Sequence, residues 1–448
     1  MPQPAYRTDG YQRIVVILSK LLPLLVQYAF KRIQIHGASR FIARHSFSAC
    51  RYCITDWANG GLKMDYFLTE EQTMIRELAR QIAEEKIVPV RHELDEKEEF
   101  PWEIMKVLAQ SDLFGLFIPE EYGGLGKGCL ELCIAVEELS KACLGVSTSY
   151  AANALGTFPI LFFGSDEQKK KYLPDIAAGK RLVAFGLTEA NAGSDAAGIQ
   201  TTARREGDEF VLNGTKQWIT NGSVAEIYTV IAITDRSKGP RGASAFIVEK
   251  GTPGFSFGKK EKKMGIRSSV TSELIFDNCR IPKENILGKE GMGFIVAMKT
   301  LDSSRTGVGA QGLGVAQGAF DEAVRFARQR VQFGHPVISF QAIQHMLADM
   351  ATEIEAARSL IYSVARYADS GAKEISKESA MAKVFATDLG MRVTTNAVQV
   401  MGGSGYMREY PVEKMMRDAK ILQIYEGTNQ IQRNVIGQAL IKEAAKKK

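Results

Sequence analysis

The apolar residues of this chain change their period twice along its length, and that order limits what it can fold into. From Thr69 the spacing is helical. Thr69 and Gln72 stand at capping-box distance, and Met74, Leu78 and Ile82 follow at four-residue steps with Ile75 on the flank. Pro89 and Pro101 punctuate, and apolar helical runs at 134–139 and 158–163 carry the pattern to about Gly179. Residues 226–234, 243–249 and 271–277 then read as strands bounded by Gly, Pro, Asn or Asp. Asn213-Gly214 and Asn221-Gly222 are tight-turn signals. After Gly293 the helical period returns: Leu347, Met350, Ile354, Ala357, Ile361 and Val364 share a face, and 321–330 and 378–400 read alike. Helices, then strands, then helices predict an α+β fold of separate domains rather than alternating βαβ units. The expected division is an extension over 1–63, an α domain over 64–180, a small antiparallel β domain over 181–290 and an α domain over 291–448.

The extension has its own composition. Residues 1–63 hold nine Lys/Arg against Asp9 and Asp56, a net +7, while the whole chain carries +6. The body is therefore near neutral and offers no electrostatic footprint for nucleic acid. The apolar run 14–30 contains Lys20 and Pro23, is short for a membrane span and lacks a small-residue cleavage site. Neither a stable membrane span nor a secretory signal is expected. An Arg-rich, acid-poor N-terminus fits a mitochondrial transit peptide, which would place the protein in the matrix. The abrupt change at Met64-Asp65-Tyr66-Phe67-Leu68-Thr69 fits a start at Met64 better, with Gly60-Gly61 encoded where a bacterial ribosome-binding sequence would lie. The protein would then be bacterial and cytoplasmic, with 1–63 outside the fold. Six cysteines in 448 residues make no disulfide scaffold. Cys50 and Cys53 have CxxC spacing without a second pair, and Cys129 and Cys133 fall one turn apart on an apolar helix, so reduced thiols and no metal site are expected.

Two glycine-rich runs look like nucleotide loops only superficially. Gly123-Gly124-Leu125-Gly126-Lys127-Gly128 lacks Walker spacing and reads as a turn. Gly309-Ala310-Gln311-Gly312-Leu313-Gly314 lies in a helical pattern, where close helix packing explains it. Four other clusters point to chemistry. The polar segment Leu187-Thr188-Glu189-Ala190-Asn191-Ala192-Gly193-Ser194-Asp195 could bring hydroxyls and N–H groups to a flat ligand; alone, a capped turn accounts for it. Trp218-Ile219-Thr220 offers a stacking wall and a hydroxyl, as a flavin needs, although a core Trp would look the same. Asp302 and Arg305 share a helix face, as a plain ion pair or as a substrate anchor. Glu426 has apolar neighbours that would raise its pKa and suit it to taking a proton from a weak carbon acid. Gly427 can end a helix there and Thr428 can cap the next. By itself the segment reads more readily as a surface Glu near a helix end.

Taken in order, these motifs resemble the acyl-CoA dehydrogenase family through essentially all of 64–448. The run is Ile118-Pro119-Glu120-Glu121-Tyr122-Gly123-Gly124, the 188–195 loop, Trp218-Ile219-Thr220, Arg330-Val331-Gln332-Phe333-Gly334, Gln399-Val400-Met401-Gly402-Gly403-Ser404-Gly405-Tyr406 and Tyr425-Glu426-Gly427-Thr428. The resemblance implies an N-terminal helical domain, a middle antiparallel β domain and a C-terminal four-helix bundle. It implies FAD, with Phe185, Leu187, Thr188, Ser194, Trp218, Ile219 and Thr220 along the flavin and Thr188 and Thr220 bonding its ring. Arg330 and Gln341 would reach the FAD of a neighbouring subunit in a homotetramer. Gln399, Val400, Met401, Gly402, Gly403, Thr428, Asn429 and Gln430 would hold its remaining length. Ser194, Asp302, Arg305, Tyr425 and Gly427 would meet the acyl-CoA substrate. Glu426 would take the α-proton while a hydride leaves the β-carbon, with the thioester carbonyl held by the Glu426 N–H and a flavin ribityl hydroxyl. The product would be a trans-2-enoyl-CoA and the electron acceptor an electron-transfer flavoprotein. Some branches of the family place the base just before the Arg of the motif of Asp302 and Arg305. Here Ser304 stands there, and Ser303 is no acid, so the base falls to Glu426 as in short- and medium-chain members.

The family's acyl pocket is bounded in part by residues 147–155, which hold no acid or base here, so a dicarboxylyl substrate is not expected. Tyr150 and Tyr425 would limit its depth. The body is similar to versions from anaerobic bacteria, and the substrate expected is short, branched or alicyclic, such as butyryl- or cyclohexanecarboxyl-CoA. An acyl-CoA oxidase that passes electrons to oxygen and a non-catalytic assembly protein share the fold and stand as alternatives.

Overall fold

The computed structural model describes residues 66–446. The expectations for the extension, the 14–30 run, the start at Met64 and the pair of Cys50 and Cys53 lie outside the described residues. Six helices come first: α1 (Glu70–Ile82), α2 (Arg91–Lys97), α3 (Trp102–Gln110), α4 (Cys129–Ala142), α5 (Leu144–Phe163) and α6 (Asp166–Ala177). The Thr69 capping box forms, with the hydroxyl accepting from the Gln72 amide. The buried face of α1 is Ile75, Ala79 and Ile82, whereas Met74 is 71% and Leu78 36% exposed. The expected stripe is thus rotated by one residue. A second apolar stripe, Ile75 and Ala79, runs beside Met74 and Leu78 on α1, and Arg80, paired with Glu138 of α4 at 2.8 Å, goes with the one that faces the protein.

Eight strands follow: β1 (Val183–Gly186), β2 (Thr202–Glu206), β3 (Glu209–Thr220), β4 (Ile227–Ile233), β5 (Ala243–Glu249), β6 (Phe255–Lys260), β7 (Thr271–Pro282) and β8 (Ile286–Leu287). They make one sheet in the order β6-β7-β3-β2-β4-β5-β8, with β1 beside β4. The sheet is mixed, not purely antiparallel, because β1 and β2 both pair parallel with β4. The β1 connection to β4 runs through the β2–β3 hairpin, long enough to return the chain in the same direction. Asn213-Gly214 makes no turn; it lies inside β3 at a register shift against β7. A Cβ on Gly214 would stand 2.6 Å from the Thr201 hydroxyl, so the glycine serves close approach at a bulge. Asn221 does turn the chain, with φ 61°.

The rest is α7 (Gly293–Gln329), the hairpin of β9 (Val331–Gln332) and β10 (His335–Pro336), α8 (Gln341–Asp369), α9 (Ser376–Met401), α10 (Val412–Ala419) and α11 (Asn429–Lys446). The predicted face of α8, Leu347 to Val364, is buried throughout. The core that joins helices to sheet includes Ile160, Tyr172, Val183, Ile227, Ile231 and Val296. Among the described residues no helix is long and apolar enough to cross a membrane.

Glycines let α7 touch two helices at once. A Cβ on Gly312 would lie 2.5 Å from the Ala386 carbonyl oxygen of α9, and one on Gly314 or Gly318 would lie 2.3 Å from the Glu137 or Lys141 carbonyl oxygen of α4. The Gly309–Gly314 run is therefore a packing seam. Gly312→Ala should cost about 2 kcal/mol of stability by overpacking, read as a lowered midpoint in denaturant unfolding; an unchanged midpoint would contradict this packing.

Candidate functional site

A cavity of about 410 Å³ opens where α4, α5, the end of β1, the end of β3, α7 and the chain before α11 converge. It gathers Phe185, Leu187, Thr188, Ser194, Trp218, Ile219, Thr220, Arg305, Tyr425, Glu426 and Gly427 on one wall system. These residues come from four separate stretches of sequence.

One wall is flat and polar-edged. The register shift between Lys216 and Ile219 and the left-handed φ of 59° at Trp218 turn the indole out of β3. Trp218 is 55% exposed, so the alternative of a core Trp is excluded. Thr188 and Thr220 line the same space. The loop carrying Thr188 is tied down from beneath by a buried ion pair. Lys216 Nζ donates to Glu189 Oε1 at 2.7 Å and to the Leu187 carbonyl at 3.1 Å, while Glu189 accepts from the Gln200 and Thr201 amides. Burial lowers the Lys216 ammonium to about 8, against the pull of Glu189. An exposed aromatic face with two hydroxyls lining the same space, one at the end of β3 and one on a braced loop, fits a planar heteroaromatic group such as a flavin.

The opposite wall is α7 and the turn before α11. The turn is left-handed at two successive residues, Glu426 with φ 52° and Gly427 with φ 91°. Thr428 then caps α11, its hydroxyl accepting from the Ile431 amide at 3.2 Å. Glu426 is half-buried in the cavity wall and is not a surface Glu. Its carboxylate accepts from the Ser304 hydroxyl, and its carbonyl accepts from Arg305 Nε at 3.3 Å. Among the described residues its N–H meets no acceptor. Burial raises the Glu426 pKa above the ordinary carboxylate range, and Ser304, Arg305 and Lys383 pull it partly back. Arg305 is buried and pairs with Asp302 Oδ1 at 2.5 Å, so the ion pair expected as one alternative exists and places the guanidinium against the turn. Asp302 itself is not in the lining and accepts from Ser376 as well.

The polar end of the cavity was not legible as a unit. Gln311, on the same face of α7 as Ser304 and Val308, accepts from the Tyr425 hydroxyl at 2.5 Å and donates to Thr148 Oγ1 at 3.4 Å. Thr148, Ala151, Ala152 and Leu155 come from the expected 147–155 segment. Tyr150 does not limit the depth: its hydroxyl is buried and donates to the Leu113 carbonyl, because its helix phase points it at the N-terminal helices.

Other expected residues lie outside this lining. Val400 and Met401 are buried, while Gln399, Gly402 and Gly403 are exposed. Asn429 is buried, its amide spent on Lys383, Thr387 and Asp388, and Gln430 is exposed. Arg330 and Gln341 are exposed at the end of α7 and the start of α8. Sequence reasoning also passed over Lys383, whose position in phase with buried Ala380, Ala386 and Thr387 was a visible signal. Cys129 and Cys133 are free thiols with their sulfurs 3.9 Å apart.

The comparisons with known proteins agree with this geometry. Models of the acyl-CoA dehydrogenase N-terminal, middle and C-terminal domains match residues 69–180, 184–279 and 291–441 in order. A Clostridium acetobutylicum protein named acyl-CoA dehydrogenase, short-chain specific, is 48% identical over 379 residues, 83% of this chain and 98% of that one. The solved butyryl-CoA dehydrogenase from Megasphaera elsdenii is similar with a TM-score of 0.83 and 48% identity, over 84% of this chain and 100% of that chain. A chain in a structure described as the electron transferring flavoprotein of Acidaminococcus fermentans, towards a mechanism of flavin-based electron bifurcation, reaches a TM-score of 0.83 and 52% identity over 84% and 99%. With its helical, sheet and second helical regions each matched and its relatives covered almost end to end, the chain belongs to the acyl-CoA dehydrogenase family.

Proposed function

We propose that this acyl-CoA dehydrogenase oxidises a short-chain acyl-CoA between its α and β carbons, with Glu426 as the base. The observation that carries the reading is Glu426 itself: a half-buried carboxylate of raised pKa, on a left-handed turn, in the same cavity as the Trp218 wall. A base of raised pKa is a stronger acceptor for a weak carbon acid, provided it is ionised at the working pH. The Ser304 hydroxyl holds its carboxylate, and the Glu426 N–H is free to meet the thioester carbonyl, where charge grows as the α-proton leaves. FAD is the cofactor; it fits the Trp218 face with Thr188 and Thr220 at its edge, and when bound it supplies the acceptor for the hydrogen leaving the β-carbon. Arg305, already spent on Asp302 and the Glu426 carbonyl, orients the turn from the substrate side.

Arg330 and Gln341 are exposed and outside the lining, which suits contact with the FAD of a neighbouring subunit in a homotetramer. Gln399, Gly402, Gly403 and Gln430 are exposed and available for the same cofactor, whereas Val400, Met401 and Asn429 are buried. The similarity to chains solved under electron-transferring and butyryl-CoA descriptions supports an electron-transfer flavoprotein as acceptor and a short acyl group. A bacterial cytoplasmic setting rests on the bacterial relatives; none of these supports a mitochondrial one. The hydrogen-bonded set of Tyr425, Gln311 and Thr148, two turns along α7 from Ser304, is the limit this reading assigns to the acyl group, consistent with a butyryl or cyclohexanecarboxyl group.

Three measurements test this reading. Glu426→Gln should retain FAD yet lose acyl-CoA-dependent bleaching of the flavin by at least about a thousandfold in rate; rapid bleaching would refute the base. Ser304→Ala removes a donor that stabilises the carboxylate, so the acid limb of the bleaching rate, already above the ordinary carboxylate range, should move to higher pH. An anaerobic screen should rank butyryl- and cyclohexanecarboxyl-CoA above palmitoyl-CoA, with Gln311→Ala shifting the optimum to longer chains; a wild-type preference for palmitoyl-CoA would overturn the size assignment.

A further inference from the structure

The turn that carries Glu426 is gripped from behind by one face of α9. Lys383 is buried in the first half of that helix, and its Nζ donates to the Gly427 carbonyl at 2.9 Å and to Asn429 Oδ1 at 2.7 Å. One turn on, the Asn429 amide donates to Thr387 Oγ1 at 2.9 Å and to Asp388 Oδ1 at 2.7 Å. Asp388 also accepts from Gln423 at 2.7 Å and from Arg433 at 2.6 Å. The chain is therefore held on both sides of Glu426. Left-handed φ at Glu426 persists only where the surroundings impose it.

A neutral donor would satisfy the Gly427 carbonyl and the Asn429 amide equally well. What lysine adds is charge, and a buried charge among neutral acceptors is unfavourable unless something faces it. The charged groups that do are Glu426 on the turn, Arg305 on α7 and Asp388 on its own helix; Glu426 and Asp388 attract the ammonium and Arg305 repels it. We propose that Lys383 is a positioning residue for the reaction, fixing the turn that aims Glu426 and favouring the ionised, proton-accepting form of its carboxylate through charge. The inference rests on Glu426 being the base. Burial lowers the Lys383 ammonium to about 7, so its charge is present on the acid side of neutrality and fades above it.

Acetyl-CoA isolates the step. It has α-hydrogens but no β-carbon to give up a hydride. The α C–H bond breaks, the proton passes to the Glu426 carboxylate and the electron pair to the thioester enolate; return of a solvent deuteron completes an exchange. With holoenzyme in D2O, deuterium uptake into acetyl-CoA is followed by NMR across pH. Lys383→Gln keeps a donor without the charge and should move the acid limb up by about one pH unit, while Lys383→Arg keeps the charge and should leave it in place. A limb unmoved in Lys383→Gln, or moved as far in Lys383→Arg, overturns the proposal. So does failure of Lys383→Gln to give a folded, FAD-loaded protein by visible spectrum and thermal unfolding, which would make the lysine purely structural. Glu426→Gln, run alongside, separates the two readings. If it still exchanges, the base assignment falls and this proposal with it; if it is silent while the Lys383→Gln limb stays put, the Lys383 role alone falls.

Discussion

The site depends on how closely α7 approaches its two neighbours. Ser304 and Arg305 ride on α7, whereas Glu426 rides on a turn held by α9. Their contact exists because α7 and α9 meet backbone to backbone at Gly309 and Gly312, with α4 pressed against the far side at Gly314 and Gly318. A hydrogen bond tolerates a few tenths of an ångström before it weakens. A methyl group on that seam displaces a helix by more than this. Packing far from the chemistry therefore sets whether Ser304 reaches the carboxylate at all.

Around the seam the protein keeps several charges out of water: Arg305 with Asp302, Lys216 with Glu189, and Lys383 among carbonyl and amide oxygens. Buried pairs are poor sources of stability, because desolvation offsets most of the attraction. Their use here is geometric and electrostatic. Lys216 and Glu189 brace the Thr188 loop, and Arg305 and Lys383 face Glu426 from opposite helices. Burial raises the Glu426 pKa, which on the proposed mechanism would make it a stronger but less often ionised base. The Ser304 hydroxyl and the two cations pull it partly back, so the carboxylate is set by that balance rather than by burial or charge separately.

Much of this was legible in the sequence. The face of α8 and the α–β–α order follow from apolar period, which burial enforces over many residues. Smaller features failed where two local readings cost the same. On α1 apolar stripes run through both Met74 and Ile75, and the partner helix chooses the second. At Asn213-Gly214 a turn and a bulge both want glycine, and Thr201, far away in structure space until β2 pairs, decides. Trp218 has the composition of a core residue and is expelled by a bulge that depends on β7. Lys383 was masked by its type: its phase on α9 is that of the buried residues, but a helical lysine is read as facing water. The cavity itself is a long-range object, with Thr148, Ser304 and Tyr425 brought together only by tertiary packing.

If the set of Tyr425, Gln311 and Thr148 bounds the acyl group as proposed, it is a sharper ruler than an apolar wall. Each further methylene buried in an apolar pocket gains about 0.8 kcal/mol. On the proposed reading, an acyl chain passing Gln311 would part it from Tyr425 and Thr148, and each buried polar group left without a partner costs about 1–3 kcal/mol. One or two extra methylenes cannot offset that loss. An apolar wall would yield by side-chain rotation and discriminate weakly between chain lengths. A hydrogen-bonded wall resists because its own bonds, not only its bulk, must be broken.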